Sequence, residues 1–398
     1  MSKAKLRNRP SIANLKYNDG TKQKITETHQ EKAEVLSNFF NSVFTIEKEQ
    51  DKIQVEQKQY KEELSNIEIK VEDIFQILSK IRIDKTPGPD GIHPRLLKET
   101  SIELSIVLCK IFNTSIKTGK LPKDWKQAHI SAIFKKGDNS IAGNYRPVSL
   151  TCIACKIIET LIRKHIIDHM KDNQLFSQAQ YGFIKGRSTG LQLIKVLDLW
   201  TDIIDSGGEL DVIYLDFMKA FDSVPHRRLI SKLGSYGIKG EIIEWVQDFL
   251  IGRQQRVGVM GQFSRWSSVH SGIPQGSVLG PLLFVIYIND LPVNIKSHLF
   301  MFADDTKVFR QIKNENDHKQ LQEDLTEMED WSNKWLLRFH PEKCKVMNVS
   351  RKKSPNKRIY NMTNSQNNNI VELEQTEVEK DLGLNIDNSL TFEYHLNE

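Results

Sequence analysis

"HLFMFADDTKVF", residues 298–309, sets two adjacent acids between two runs of large apolar side chains. The apolar flanks read as two strands of a β-hairpin anchored in a core, with Asp304 and Asp305 at the tight turn between them. Two neighbouring carboxylates repel each other, and a bound divalent cation is a natural way to hold both ionised. Alone the pair says little, because Asp-Asp is also an ordinary turn dipeptide. A third acid changes the reading. "DVIYLDFMKAFDSVPH", residues 211–226, carries Asp216 at the end of another apolar strand, where alternation would favour a core residue. Carboxylates from separate strands, converging on hard cations that keep open positions for phosphate oxygens, are what a two-metal site requires.

The rest of the composition is that of an ordinary globular protein. The chain has 398 residues, 39% hydrophobic and 27% charged, enough for two or three domains. A net charge of +5 permits a polyanionic partner without demanding one, so any nucleic-acid footprint must come from local clusters of Lys and Arg. Four cysteines and no apolar segment behind "MSKAKLRNRP" argue against a secreted disulfide scaffold and for a reducing, intracellular setting, in cytoplasm or nucleus. The longest apolar run, "LLFVIYI" at 282–288, is too short to span a bilayer, so no membrane role is expected. Cys152 and Cys155, in "CIAC", open an Ile-rich helical pattern and read as packing cysteines.

Periodicity organises the chain. Residues 1–70 are polar, with one helix around "EKAEVLSNFFNSVF". Val71, Ile74, Phe75, Leu78 and Ile81 mark a packed helix, which "DKTPGPDGIHP" breaks with three prolines and two glycines. Helical patterns resume at 93–119, 152–170 and 189–206, a strand follows at 211–217, and helices lie near 227–251. A β-rich passage, "RQQRVGVMGQFSRWSSVHSG", leads to a helix beginning near Ser277. Leu321, Leu325, Met328, Trp331 and Trp335 then trace the clearest helix, and its apolar stripe reads as core. Short strands are expected near 345–349 and 381–387. This mixed order argues for an α+β fold and against a doubly wound sheet.

The order of several blocks makes a family resemblance specific. "YLDFMKAFDSVPH", "SGIPQGSVLGPLLFVIYINDLP" and "FADD" follow one another with Asp216 and Asp304 separated by 304 − 216 = 88 residues, and they resemble the polymerase domain of a reverse transcriptase. "KTPGPDGIHPRLLKE", "NYRPVSLTCIACKIIE" and "QYGFIKGRSTG" are similar to the upstream blocks of non-LTR retrotransposon enzymes, the jockey-like group above all. "RFHPEKCKVM" and "EKDLGLNID" look like the motifs that close the palm, so the resemblance covers roughly residues 70–390.

The resemblance implies a right-hand polymerase with helical and β fingers, an antiparallel-sheet palm and a thumb largely absent. It divides the chain into an extension at 1–70 (a linker after a missing endonuclease), fingers at 71–205, a palm at 206–390 holding an inserted segment, and the start of a truncated thumb at 391–398. It implies RNA-directed DNA polymerisation with two Mg²⁺ ions, an RNA template, a DNA primer and deoxynucleoside triphosphates. Asp216 and Asp304 would ligate both ions, with Asp305 as third carboxylate and the backbone carbonyl of Phe217 beside them. Phe221 would stand under the incoming sugar and leave no room for a 2′-hydroxyl. Asp222, by contrast, reads as a turn residue. Lys135 or Lys136 and Arg146 would meet the triphosphate, Arg146 through its planar fork. Gln275 and Gly276 would line the nucleotide pocket, and Arg187 would touch the template, although Ile184 stands where the family commonly has a basic residue. Lys343 is the candidate general acid for pyrophosphate, with Lys345 as competitor, while His340 replaces the usual Asn. The alternatives to this activity are a decayed copy that only binds nucleic acid and another template-dependent polymerase of the intron-maturase kind.

Overall fold

In a computed structural model of the chain, residues 12–18, 20, 22–48, 54–352, 358–365 and 367–397 are described. They fall into two compact units, the first made of the described residues within Met1–Ile46, Glu62–Ile166 and Gly237–Gly280, the second of those within Glu47–Lys61, Ile167–Tyr236 and Pro281–Glu398.

The first unit is built on a small mixed sheet. Gln127–Phe134 pairs antiparallel with Tyr145–Leu150 on one side and parallel with Gln254–Val259 on the other. Two short strands, Gln262–Phe263 and Ser267–Ser268, add to the outer side of Gln254–Val259. Alternation sends Ala128, Ile130, Val257 and Val259 to one face, where Ala33, Leu36 and Phe40 of the helix His29–Ser42 cover them. That helix starts at a capping box in which Thr28 and Glu31 satisfy each other's backbone donors, a feature worth about 1 kcal/mol. The helix Ser101–Thr118 packs beside Val71–Ser79 and Gly240–Leu250 and stops at Gly119, whose φ of 60° is the left-handed cap that glycine adopts without strain.

The second unit carries a five-stranded sheet in the order Glu374–Gln375, Lys345–Val349, Leu210–Leu215, Asp305–Gln311, His298–Phe302. Its pairs are antiparallel except for the short outer strand Glu374–Gln375. Leu210–Leu215 is central and buried on both faces, which is why it reads as a nearly continuous apolar run. One face packs on the helix Thr189–Asp205 through Val196, Trp200 and Ile204, which recur every four residues. The Trp200 ring meets Phe309 edge-on at 5.6 Å, and truncating such a side chain to Ala typically costs about 3–5 kcal/mol. The long helix runs Glu315–Trp335, and its expected apolar stripe is buried at Leu321, Leu325, Met328 and Trp335.

Several local expectations shift. The helix expected to begin near Ser277 runs Gly280–Tyr287, and the Ser277 hydroxyl, which donates to Glu159, accepts from Gly280 N (2.8 Å) at its start. The strand expected around 381–387 is a hairpin, Val378–Asp381 with Leu384–Asp387. Cys152 and Cys155 are free and fully buried, and burial pushes both thiols up, Cys152 to about 12, as suits packing residues. No helix among the described residues is long and apolar enough to cross a membrane.

Candidate active site

The three acids of the second unit sit at one end of its sheet. Leu215 pairs with Thr306, so the next residue along, Asp216, stands across from Asp305 in the same register. Phe302 pairs with Asp305, which makes Ala303 and Asp304 the two central residues of the hairpin turn. This differs from the expected Asp304-Asp305 turn by one residue, and Asp305 is the first residue of the returning strand. Ala303 holds φ of 55°. A positive φ at the first central position matches the right-handed strand twist, but a side chain there costs about 1–2 kcal/mol, the kind of strain that functional sites retain.

The acids are open to solvent while the strands that carry them are buried. Asp305 is exposed, Asp304 half-buried, and the Asp216 side chain 49% exposed. The backbone carbonyl of Asp216 accepts from His340 N (2.8 Å) and Arg338 O accepts from Met218 N (2.8 Å). This isolated bridge between Phe217 and Phe339 does not use the carbonyl of Phe217, and the two rings stack at 4.4 Å. Lys343, in the short turn Pro341–Lys343, brings its ammonium 3.6 Å from the Asp216 carboxylate. Lys345 is engaged instead by Glu374 on the neighbouring strand. Phe221 lies in the short helix Ala220–Ser223, half-buried, stacked on Phe284 at 4.4 Å. Arg187 turns its guanidinium onto its own loop, donating to the carbonyls of Ser177 and Gln180 and to Gln178 Oε1, and burial lowers it from its ordinary value. It therefore shapes that loop, and any template contact would come in addition.

In the first unit the candidate nucleotide residues gather around one strand. Arg146 is exposed and pairs with Ile133, one position in from the loop that carries exposed Lys135 and Lys136. On the same strand, Ser149 N donates to Gln275 O at 2.6 Å. Gly276 has φ of 108°, and a Cβ there would lie 2.6 Å from Ser149 O, so a close backbone approach as well as its φ requires glycine. The sequence reading missed Glu159. This fully buried carboxylate accepts from Ser277 Oγ (2.6 Å), Val278 N (2.7 Å) and Leu279 N (3.0 Å), fixing the loop that carries Gln275 and Gly276. The available signal was an acid amid the apolar positions of "CKIIETLI".

Carboxylates and a backbone carbonyl are the oxygen donors that Mg²⁺ takes, and Mg²⁺ is commonly held by one or two protein carboxylates plus substrate phosphates. The donor set of Asp216, Asp304, Asp305 and the Phe217 carbonyl fits that pattern. Among the described residues no three His, Cys, Asp or Glu side chains are grouped closely enough to hold an ion by themselves.

Comparisons with known proteins agree with this arrangement. A family model described as "Reverse transcriptase (RNA-dependent DNA polymerase)" matches residues 133–384, which include every candidate site residue named above. In Drosophila melanogaster, a probable RNA-directed DNA polymerase from transposon BS is 29% identical over 85% of this chain and 39% of its own length. The RNA-directed DNA polymerase from mobile element jockey, also of Drosophila melanogaster, is 28% identical over 82% of this chain and 36% of its own. The chain thus spans little more than a third of these curated relatives. Apo telomerase from Candida tropicalis, truncated from its C-terminal domain, overlays with a TM-score of 0.46 and 13% identity, covering 73% of this chain and 60% of that one, too loose a match to carry an argument. With the family model running through both the acidic turn and the loop beside Arg146, the chain belongs to the reverse transcriptase (RNA-dependent DNA polymerase) family.

Proposed function

We propose that the chain carries out template-directed DNA synthesis on RNA, as a right-hand polymerase whose palm sheet is the five-stranded sheet of the second unit. The observation that carries this reading is the register that sets Asp216 across from Asp305, with Asp304 in the adjoining turn. Supporting it are the family match and the names of the relatives, which are RNA-directed DNA polymerases of mobile elements. The family is generally metal-dependent.

On this reading Asp216, Asp304, Asp305 and the Phe217 carbonyl hold two Mg²⁺ ions, which when bound lower the pKa of the primer 3′-hydroxyl and neutralise charge on the triphosphate. Phosphoryl transfer asks mainly for position and charge. Arg146 and Lys135 or Lys136 supply cations to the phosphates of a deoxynucleoside triphosphate, and Gln275 and Gly276 form the wall of its pocket. Lys343 would give a proton to the departing pyrophosphate, a reading supported by its ammonium lying 3.6 Å from the Asp216 carboxylate. The stacking of Phe221 on Phe284 fixes the ring that would exclude a 2′-hydroxyl.

Primer extension tests the reading. A DNA primer annealed to RNA should be extended with deoxynucleotides in Mg²⁺, and chelation by EDTA should abolish extension. A chain that binds primer-template but adds no nucleotide in either Mg²⁺ or Mn²⁺ is a nucleic-acid-binding protein only, and extension on DNA alone would make it a polymerase of another kind.

A further inference from the structure

Gln180 belongs to the motif "QYGFIKGRSTG" but its side chain acts 123 residues away. The segment around it runs alongside the hairpin that carries the acids. Tyr181 N donates to Met301 O (2.7 Å), Met301 N donates to Ala179 O (2.8 Å), and Gln180 bridges Met301 in parallel fashion. The Gln180 side chain is wholly buried, and its Oε1 accepts from Gly182 N (2.7 Å) and from Ala303 N (2.9 Å). Two N–H donors on one side settle which end of the amide is oxygen, since the reversed amide would set donors against donors. The other end, Nε2, has no hydrogen-bond partner among the described residues, so both bonds of this side chain come from its oxygen.

The turn needs such an acceptor. Ala303 is 5% exposed, and its N–H lies outside the strand ladder, where a buried donor must be paired. The same residue holds the positive φ, one position before Asp304. Gly182 permits the approach, for a Cβ there would stand 2.4 Å from Ala303 N and 3.0 Å from the Phe302 carbonyl carbon. Arg187 completes the clamp by donating to the Gln180 carbonyl.

We infer that Gln180 is a positioning residue for the acidic turn: its amide oxygen holds Ala303 in the left-handed conformation and so aims Asp304. This rests on the polymerase reading for its effect on rate, but the clamp itself can be measured without activity. Gln180→Met keeps the volume and removes the acceptor. Residue-resolved amide hydrogen exchange of the full chain across residues 298–311 should show the Ala303 amide losing protection at least tenfold, while the amides of Thr306 to Gln311 keep theirs. Primer extension should slow about thirtyfold with primer-template affinity unchanged. Adding Ala303→Gly should restore at least tenfold of that rate, because glycine holds a positive φ without help. Gln180→Asn, which withdraws the amide by one methylene, carries the same expectations and serves if Gln180→Met does not fold. Unchanged exchange at Ala303 would overturn the inference even in an active enzyme. So would a slowed variant that Ala303→Gly does not restore and whose melting temperature falls in step with its rate. If the parent chain extends no primer, the polymerase reading fails, and the exchange comparison still decides the clamp.

Discussion

One strand carries two aspartates with opposite fates. Asp211, near the start of Leu210–Leu215, is 1% exposed and fully engaged. It accepts from Asn348 Nδ2 (2.6 Å), Tyr360 OH (2.7 Å) and Arg358 Nη1 (3.1 Å). Burial alone would lower the Arg358 guanidinium, yet Asp211 and Glu209 beside it hold it above its ordinary value, and burial next to Asp211 keeps the Tyr360 phenol protonated. Asp216, one residue past the strand's other end, has half its side chain in solvent and a lysine ammonium at 3.6 Å. Both acids interrupt an apolar run, so both look anomalous in the sequence. What separates them is closure: an acid buried with its lone pairs taken by the protein serves the fold, and one with half its side chain in solvent is accessible to a ligand.

That contrast sets the order of expected effects. The largest belongs to Asp304, half-buried in the turn. Asp304→Asn keeps the shape and removes a charge, and primer extension should fall about a thousandfold, roughly 4 kcal/mol of barrier, with melting temperature and primer-template binding nearly unchanged. Extension near the parent rate would remove this acid from the metal site. Next comes Asp211→Asn, which leaves Arg358 buried beside fewer negative charges. Denaturant unfolding should record a loss of about 3 kcal/mol. A variant as stable as the parent would show that the buried network contributes little.

A smaller effect concerns Phe221. Phe221→Val should open space beside Phe284 and raise ribonucleotide over deoxynucleotide incorporation about tenfold, or about 1.4 kcal/mol of discrimination. An unchanged ratio would assign the ring to packing alone. A further effect, on stability and not on rate, extends the contrast to a cation. Lys232 is 1% exposed, bound by Asp290 and by the Tyr287 carbonyl, with its ammonium over the Trp335 ring. Burial pulls it down from 10.5 to about 8 despite Asp290. Between those values the unfolded chain binds more protons than the folded one, so stability rises with pH there, and below about 8 the penalty is constant. Melting curves from pH 7.5 to 10 should therefore rise for the parent relative to Lys232→Met. Parallel curves would mean that Lys232 keeps its ordinary affinity for protons.

Much of this was legible before the structure. The stripe from Leu321 to Trp335, the strand Lys345–Val349 and the β-rich passage around Val257 follow directly from periodicity, because each buries a face set by its own repeat. The acids were legible as interruptions of apolar runs. The turn was misplaced by one residue, since the alternation of "MFADD" fits either hairpin register and the cross-strand pair Phe302 with Asp305 decides it. Gln180 and Glu159 escaped because their partners lie 123 and 118 residues away, and an amide or acid in an otherwise apolar segment does not announce which loop it will hold. Arg187 illustrates the converse. Its position in "GRST" suggested a ligand contact, and the structure adds a second role in its bonds to the carbonyls of Ser177 and Gln180 and to Gln178 Oε1 nearby.

The most direct test measures two variants of the one strand side by side, Asp211→Asn and Asp216→Asn, each by melting temperature and by primer-extension rate per folded molecule in Mg²⁺. The account predicts a crossover: Asp216→Asn melts like the parent and loses extension by about a thousandfold, while Asp211→Asn melts well below the parent and extends at near the parent rate once corrected for folded fraction. A folded Asp216→Asn that extends primers normally, or two variants that lose stability and rate together, would contradict the division of this strand into a structural and a catalytic end.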